Sequence, residues 1–142
     1  MSANRRALFG LAAMALGAVA ARGEPSGLAL RNLEPSGAFE VSNLGPDARL
    51  SARVRIELLW RGAWTEWVAD LRLARACEPP PACVTLSAGE SLRPPPWNGY
   101  SCGGQCPASC RANVLAPPGT YRFALQDCSG VTLVHGAPFV RP

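Results

Sequence analysis

Six cysteines, Cys77, Cys83, Cys102, Cys106, Cys110 and Cys128, are the residues whose type and spacing point most directly to chemistry, and all lie in the C-terminal half of the 142-residue chain. In an exported chain an even set reads as a disulfide framework, and six cysteines allow 15 pairings. Cys77 and Cys83 bracket Glu-Pro-Pro-Pro-Ala, a loop short enough for its ends to meet, so the two are expected to pair with each other. The other four are expected to form two bridges that tie the Gly-rich excursion from Ser101 to Arg111 to the last hairpin through Cys128. Closing a loop of about 15 residues stabilises by roughly 3 kcal/mol in the chain-entropy account, which makes such links structural rather than reactive. The competing chemistry is a metal site built from Cys102, Cys106, Cys110 and Cys128. Its gaps are permitted for structural zinc, but Gly103, Gly104 and Pro107 oppose a regular helix carrying the first three. Disulfides are favoured, and no metal or other cofactor is expected.

His135 is the single histidine, which removes most hydrolase schemes at once. A Ser-His-Asp arrangement needs it as the base, with Asp127, Ser129 and Asp70 as unplaced companions. The surroundings of Ser129, Gln-Asp-Cys-Ser-Gly, lack the Gly two positions before the Ser that a nucleophile elbow requires. His135 is expected to be a half-buried structural residue sharing a strand face with Val131 and Leu133, and no catalytic residue is assigned. Trp60, Trp64, Trp67 and Trp97 supply large apolar area and are expected mainly in the core, with Trp64 at a hairpin tip the best placed for exposure.

The elements that must position these groups begin after a leader. Met1 to Ala20 has a basic head, Arg5-Arg6, an apolar run and small residues around Ala18-Val19-Ala20, the three parts of an export signal. The run is too short to span a bilayer, which takes about 20 residues. Arg5-Arg6 followed by Ala7, Leu8 and Phe9 also resembles a twin-arginine signal, so the twin-arginine and general secretory routes both stay open. Its removal lowers the formal charge from +4 to +2. All 14 basic residues are arginine, and Arg49, Arg53 and Arg55 alternate with apolar residues as the solvated side of a strand. That pattern excludes the clustered basic face of a nucleic-acid binder.

Residues 21–142 are expected to form one domain. Alternation predicts strands over Leu28–Leu33, Ala38–Asn43, Leu50–Trp60, Val84–Leu86, Thr120–Leu125, Val131–His135 and Pro138–Val140, separated by Gly and Pro turns. In the longest, Ala52, Val54, Ile56, Leu58 and Trp60 are predicted to share the buried face. Trp64–Ala76 fits either a strand or a helix, and the Gly-containing link Arg61-Gly62-Ala63 favours a hairpin strand. The pattern amounts to an all-β antiparallel sandwich of immunoglobulin-like type, stapled by disulfides.

The strand Phe39 to Asn43 after a Gly turn, the Gly89-Glu90 turn, the Trp97-Asn98-Gly99 turn and the late Gly119-Thr120-Tyr121 strand resemble small bacterial immunoglobulin-like domains, among them proteinase inhibitors of the BsuPI type. The resemblance spans Phe39 to Leu125, and the cysteines are not part of its pattern. The expected function is a non-catalytic binding or structural module of the cell envelope or extracellular space. Its partner would be a protein or a cell-surface polymer, and neither nucleic acid nor a membrane span is expected. Candidate contact residues are Arg61, Trp64, Glu78 and Trp97. The alternatives are protease inhibition through the loop from Cys77 to Cys83, with Glu78 and its prolines presented to a protease cleft, and metal binding by the cysteine cluster.

Overall fold

A computed structural model describes residues 27–73, 83–103, 110 and 112–142. The expected leader, Met1–Ala20, and the residues Cys77, Glu78 and Cys106 lie outside the described residues. The described chain is all-β, with ten strands: β1 (Leu28–Leu33), β2 (Ala38–Asn43), β3 (Ala48–Ser51), β4 (Arg55–Trp60), β5 (Ala63–Trp67), β6 (Cys83–Leu86), β7 (Ser91–Leu92), β8 (Gly119–Gln126), β9 (Thr132–His135) and β10 (Phe139–Arg141). All pairings between them are antiparallel. Among the described residues no helix is long and apolar enough to cross a membrane.

Two sheets face each other. One has the order β1-β2-β7; the other runs β10-β8-β4-β5, with β9 also paired to β8. Period-two alternation turns Leu30, Phe39 and Val41 inward from the first sheet and Ile56, Leu58, Tyr121, Phe123 and Leu125 inward from the second, and these residues form one core. Phe39 and Phe123 meet across it with ring centroids 4.6 Å apart. Full burial of such a side chain contributes about 1.5–3 kcal/mol, so this interdigitation is the main reason the layers stay together. Tyr121 is buried among them, and its hydroxyl donates to the Pro117 carbonyl at 2.6 Å. Loss of solvent pushes its phenol pKa up, against the attraction of Arg141.

The expected single strand from Leu50 to Trp60 is two strands. Its apolar alternation continues through Ala52, Val54, Ile56 and Leu58, all buried, while the pairing partner changes. β3 pairs with β6, the connection through Ala52–Val54 bonds to Leu71 and Leu73, and β4 lies between β5 and β8. Alternation reports which face is buried but not against what, so it could not mark the change. Trp60, predicted inward, is 56% exposed because it ends β4 beyond the edge of the core.

Trp64–Ala76 begins as strand. Ala63–Trp67 returns along β4 as a hairpin, and the extended chain then buries Leu71 and Leu73. Both central turn residues have positive φ, Arg61 at 50° and Gly62 at 80°. That is type I′ geometry, whose twist matches a two-residue hairpin. A buried polar residue stitches the small β3–β6 pair to the first sheet: Asn43 Nδ2 donates to the carbonyls of Leu86 at 3.0 Å and Pro46 at 2.7 Å, and Oδ1 accepts the Gly45 N–H at 2.9 Å. A buried amide with its donors and acceptor matched carries little desolvation cost and fixes the register.

Candidate functional site

The residues turned outward from the five-stranded sheet form a cluster of charged and aromatic side chains. Alternation in β4 that buries Ile56 and Leu58 sends Arg55, Glu57 and Leu59 to the opposite face. Register then supplies their neighbours: Glu57 lies opposite Arg122 of β8 and Glu66 of β5, Leu59 opposite Trp64, and Arg55 opposite Ala124, which itself faces His135 of β9. Side chains from four strands are thereby brought together.

Glu57 is the centre. Its side chain is 8% exposed, and Arg122 Nε donates to Oε2 at 2.6 Å. Arg55 Nε lies 3.4 Å from Oε1, and His135 Nε2 lies 3.5 Å from Oε2. Directly opposed like charges destabilise a sheet, and Arg55 relieves the Glu57–Glu66 pair by also reaching Glu66 Oε2 at 3.8 Å. The Arg122 guanidinium lies over Trp64, 4.3 Å from the ring centroid, in a cation–π contact. Arg55 Nε is buried and makes no hydrogen bond. His135 is held below the ordinary imidazole pKa, first by burial and then by the charges of Arg122 and Arg55, which together outweigh the pull of Glu57.

Beside this cluster, at the end of β5, Glu66, Trp67, Val68, Ser101, Ala112 and Val114 line an open depression of about 470 Å³. Val68 is 76% exposed there and Val114 53%. At the other end, the hairpin tip presents Leu59, Trp60 and Arg61, with the Arg61 guanidinium 5.7 Å from the Trp60 ring.

The candidates read from sequence are placed as follows. Arg61 is at the exposed tip, as expected. Trp64 is only half-buried under Arg122, and among the described residues the aromatic most open to solvent is Trp60. Trp97 is a core residue, 4% exposed: its indole N–H donates to Tyr100 O at 2.9 Å and its ring packs edge-on against Tyr121, centroids 5.2 Å apart. Cys83 pairs with Cys128, 45 positions away, and not with Cys77; Cys102 pairs with Cys110. The expected ring from Cys77 to Cys83 is therefore not closed by its own ends, because β6 places Cys83 against Cys128 in the β8–β9 turn. In this arrangement Cys102, Cys110 and Cys128 form disulfides and offer no shared thiolate set, and no cluster of metal ligands occurs among the described residues.

His135 also departs from expectation. A bulge between Leu125 and Gln126 leaves Leu133 without a facing partner, so Leu133 turns to the core and His135 outward, 41% exposed. The Ser129 hydroxyl donates to Asp127 Oδ1 at 2.7 Å inside the β8–β9 turn, and Asp70 is held by Arg72 at 2.8 Å. Those companions are committed elsewhere, and the carboxylate beside His135 is Glu57. Arg55, Glu57, Arg122 and His135 were not grouped by sequence reasoning. The signal available was the outward phase of two strands, which names polar positions without saying which of them meet. No protein-family model, curated protein or solved structure matches this chain.

Proposed function

We propose that the chain is an exported, non-catalytic binding module on an immunoglobulin-like, disulfide-stapled scaffold, and that it engages its partner through the outer face and hairpin tip of the five-stranded sheet. The strand order supports the scaffold: β1-β2-β7 opposed to β5-β4-β8-β9 follows the A-B-E and C′-C-F-G layers of such domains. Tyr121 bonds back to Pro117 as a tyrosine corner does, two residues before Phe123, whose ring meets Phe39 where antibody domains carry their inter-sheet disulfide. Two disulfides accord with an oxidising location outside the cytoplasm.

The observation that carries the binding reading is the exposure of Leu59, Trp60 and Arg61 contiguous with the stacked Trp64–Arg122 pair. Exposed aromatic and arginine side chains on rigid strands are the composition of interface anchors. A photo-crosslinking side chain at Leu59 or Trp60 in producing cells is expected to yield a discrete adduct. The same probe at Arg31, on the opposite sheet, is expected to yield none. Equal labelling at both positions, or at neither, would remove this reading.

A further inference from the structure

We propose that two copies of this chain pair through the free edge of β5, antiparallel and about a two-fold axis at Thr65, so that their five-stranded sheets run on into one another. This goes beyond the binding reading above, which concerns the outer face. β5 is the outermost strand of its sheet and is paired on one side, to β4. The two-residue turn makes Trp60 and Ala63 a hydrogen-bonded pair, and alternation then turns the N–H and C=O of Ala63, Thr65 and Trp67 towards β4. Those of Trp64 and Glu66 point to the open edge, where they meet no backbone partner among the described residues. Edges left in solvent are usually blunted by proline, a bulge or a very short strand. β7 has two residues and runs into Pro94-Pro95-Pro96, and β10 is bracketed by Pro138 and Pro142. β5 has no proline and no shift of register, and Ala63, Thr65 and Glu66 are exposed.

A second copy is the fitting occupant because this strand carries both halves of a contact. At its start the hairpin tip projects Trp60 and Arg61, and past its end lies the open depression of Trp67, Val68 and Val114, with Glu66 on its rim. Antiparallel pairing about the midpoint carries each tip to the other copy's depression, an arrangement that closes on itself. Charge agrees with shape. Arg61 makes no ion pair among the described residues, and Glu66 has the long 3.8 Å contact with Arg55.

The side chains also choose the register. Glu66 opposite itself would set two carboxylates face to face, which opposes pairing. Trp64 opposite itself would set Glu66 against Gly62, inside the turn. Trp64 opposite Glu66 of the second copy avoids both and uses the outward backbone groups of both residues. It puts Glu66 beside a tryptophan that carries the Arg122 guanidinium. On the other face Ala63, already opposite Trp60, comes opposite Trp67 of the second copy. Its methyl group is too small to keep the two indoles apart, so the most exposed aromatic becomes covered.

Sedimentation equilibrium of the purified protein is expected to show the mass rising from one chain to two at a concentration on the order of 10–100 μM, as suits a small interface. Thr65→Lys sets two ammonium groups against each other on the axis and is expected to move that midpoint upward about tenfold or more. Circular dichroism should be unchanged, since Thr65 is exposed. Thr65→Cys with oxidised glutathione is expected to give a covalent dimer. Ala63→Cys is expected to stay a single chain, because in this register its two sulfurs start from backbones about 14 Å apart, beyond disulfide reach.

A single-chain mass up to about 1 mM, a dimer that Thr65→Lys leaves intact, or equal crosslinking through Ala63→Cys and Thr65→Cys would overturn the proposal. The photo-crosslink at Leu59 answers separately, because Leu59 lies on β4, one strand in from the paired edge. An adduct with a different protein, found together with a monomeric chain, would reject only the dimer. A dimer without such an adduct would reject only the binding reading.

Discussion

Each of the two facing sheets carries a glutamate between two arginines on its outer face, and the two ladders differ in what lies around the carboxylate. On the first sheet Glu40 meets Arg31 at 2.8 Å and Arg93 at 2.5 Å, with both arginine side chains about two-thirds in solvent, 65% and 68% exposed. The hydrogen bond from Arg93 and the nearby charges hold the Glu40 carboxyl below its usual range against a smaller opposing effect of burial. On the second sheet Glu57 meets Arg122, Arg55 and His135, whose side chains are 20%, 31% and 41% exposed, and Trp64 covers the Arg122 plane. The same triplet of charges is a solvated ornament in one place and a fixed, partly dry platform in the other. Screening by water makes exposed ion pairs nearly neutral in stability, whereas withdrawing the central carboxylate from a drier site strands its partners. Recognition is better served by the second arrangement, since side chains already immobilised lose less freedom when a ligand arrives.

The largest effect should come from cutting the tether beneath the second ladder. Cys83–Cys128 pins the turn between β8 and β9, which carry Arg122 and His135, and closes a span of 45 positions. Replacing both sulfurs by serine is expected to lower stability by about 4 kcal/mol in the chain-entropy account, read from the denaturant midpoint. Glu57→Gln comes next, with an expected loss of about 2 kcal/mol because Arg122 and Arg55 keep their burial without their counter-charge. Glu40→Gln is expected to leave the midpoint unchanged within error, and a loss equal to that of Glu57→Gln would break the contrast between the faces. The smallest effect is the pH response of stability. The folded state holds His135 below its ordinary pKa of 6.5, so the unfolded chain takes up that proton first. Stability is therefore undiminished above about pH 6.5 and falls as pH drops through the window between the unfolded and folded values. His135→Gln is expected to flatten that slope in urea titrations between pH 7.5 and 5, with the steeper carboxylate-driven loss at lower pH remaining.

Much of the fold was legible because alternation is a local signal. Leu28–Leu33, Ala38–Asn43 and the later Tyr121, Phe123 and Leu125 show their buried faces by phase alone, and Gly62 after Arg61 marks the hairpin. Partner choice was not legible. The Cys83–Cys128 link depends on which strands lie side by side, and loop length favoured the nearer Cys77. Trp97 stood both among the tryptophans expected in the core and among the candidate contact residues, and the turn through Asn98 and Gly99 folds it against Tyr121, into the core. The charged cluster was invisible for the same reason. Its members occupy four strands, and one of them, His135, is put out of phase with Leu133 by a single extra residue that no periodicity announces.

One stretch of chain serves two sheets: β3 is paired to β6 in a small sheet of its own, β4 is built into the five-stranded sheet, and only Ala52–Val54 separates them. A segment continuous through two sheets in this way acts as a shared seam. Melting on either side pulls at the other, so the scaffold should come apart in one concerted step, with the recognition face staying in shape until the whole domain gives way.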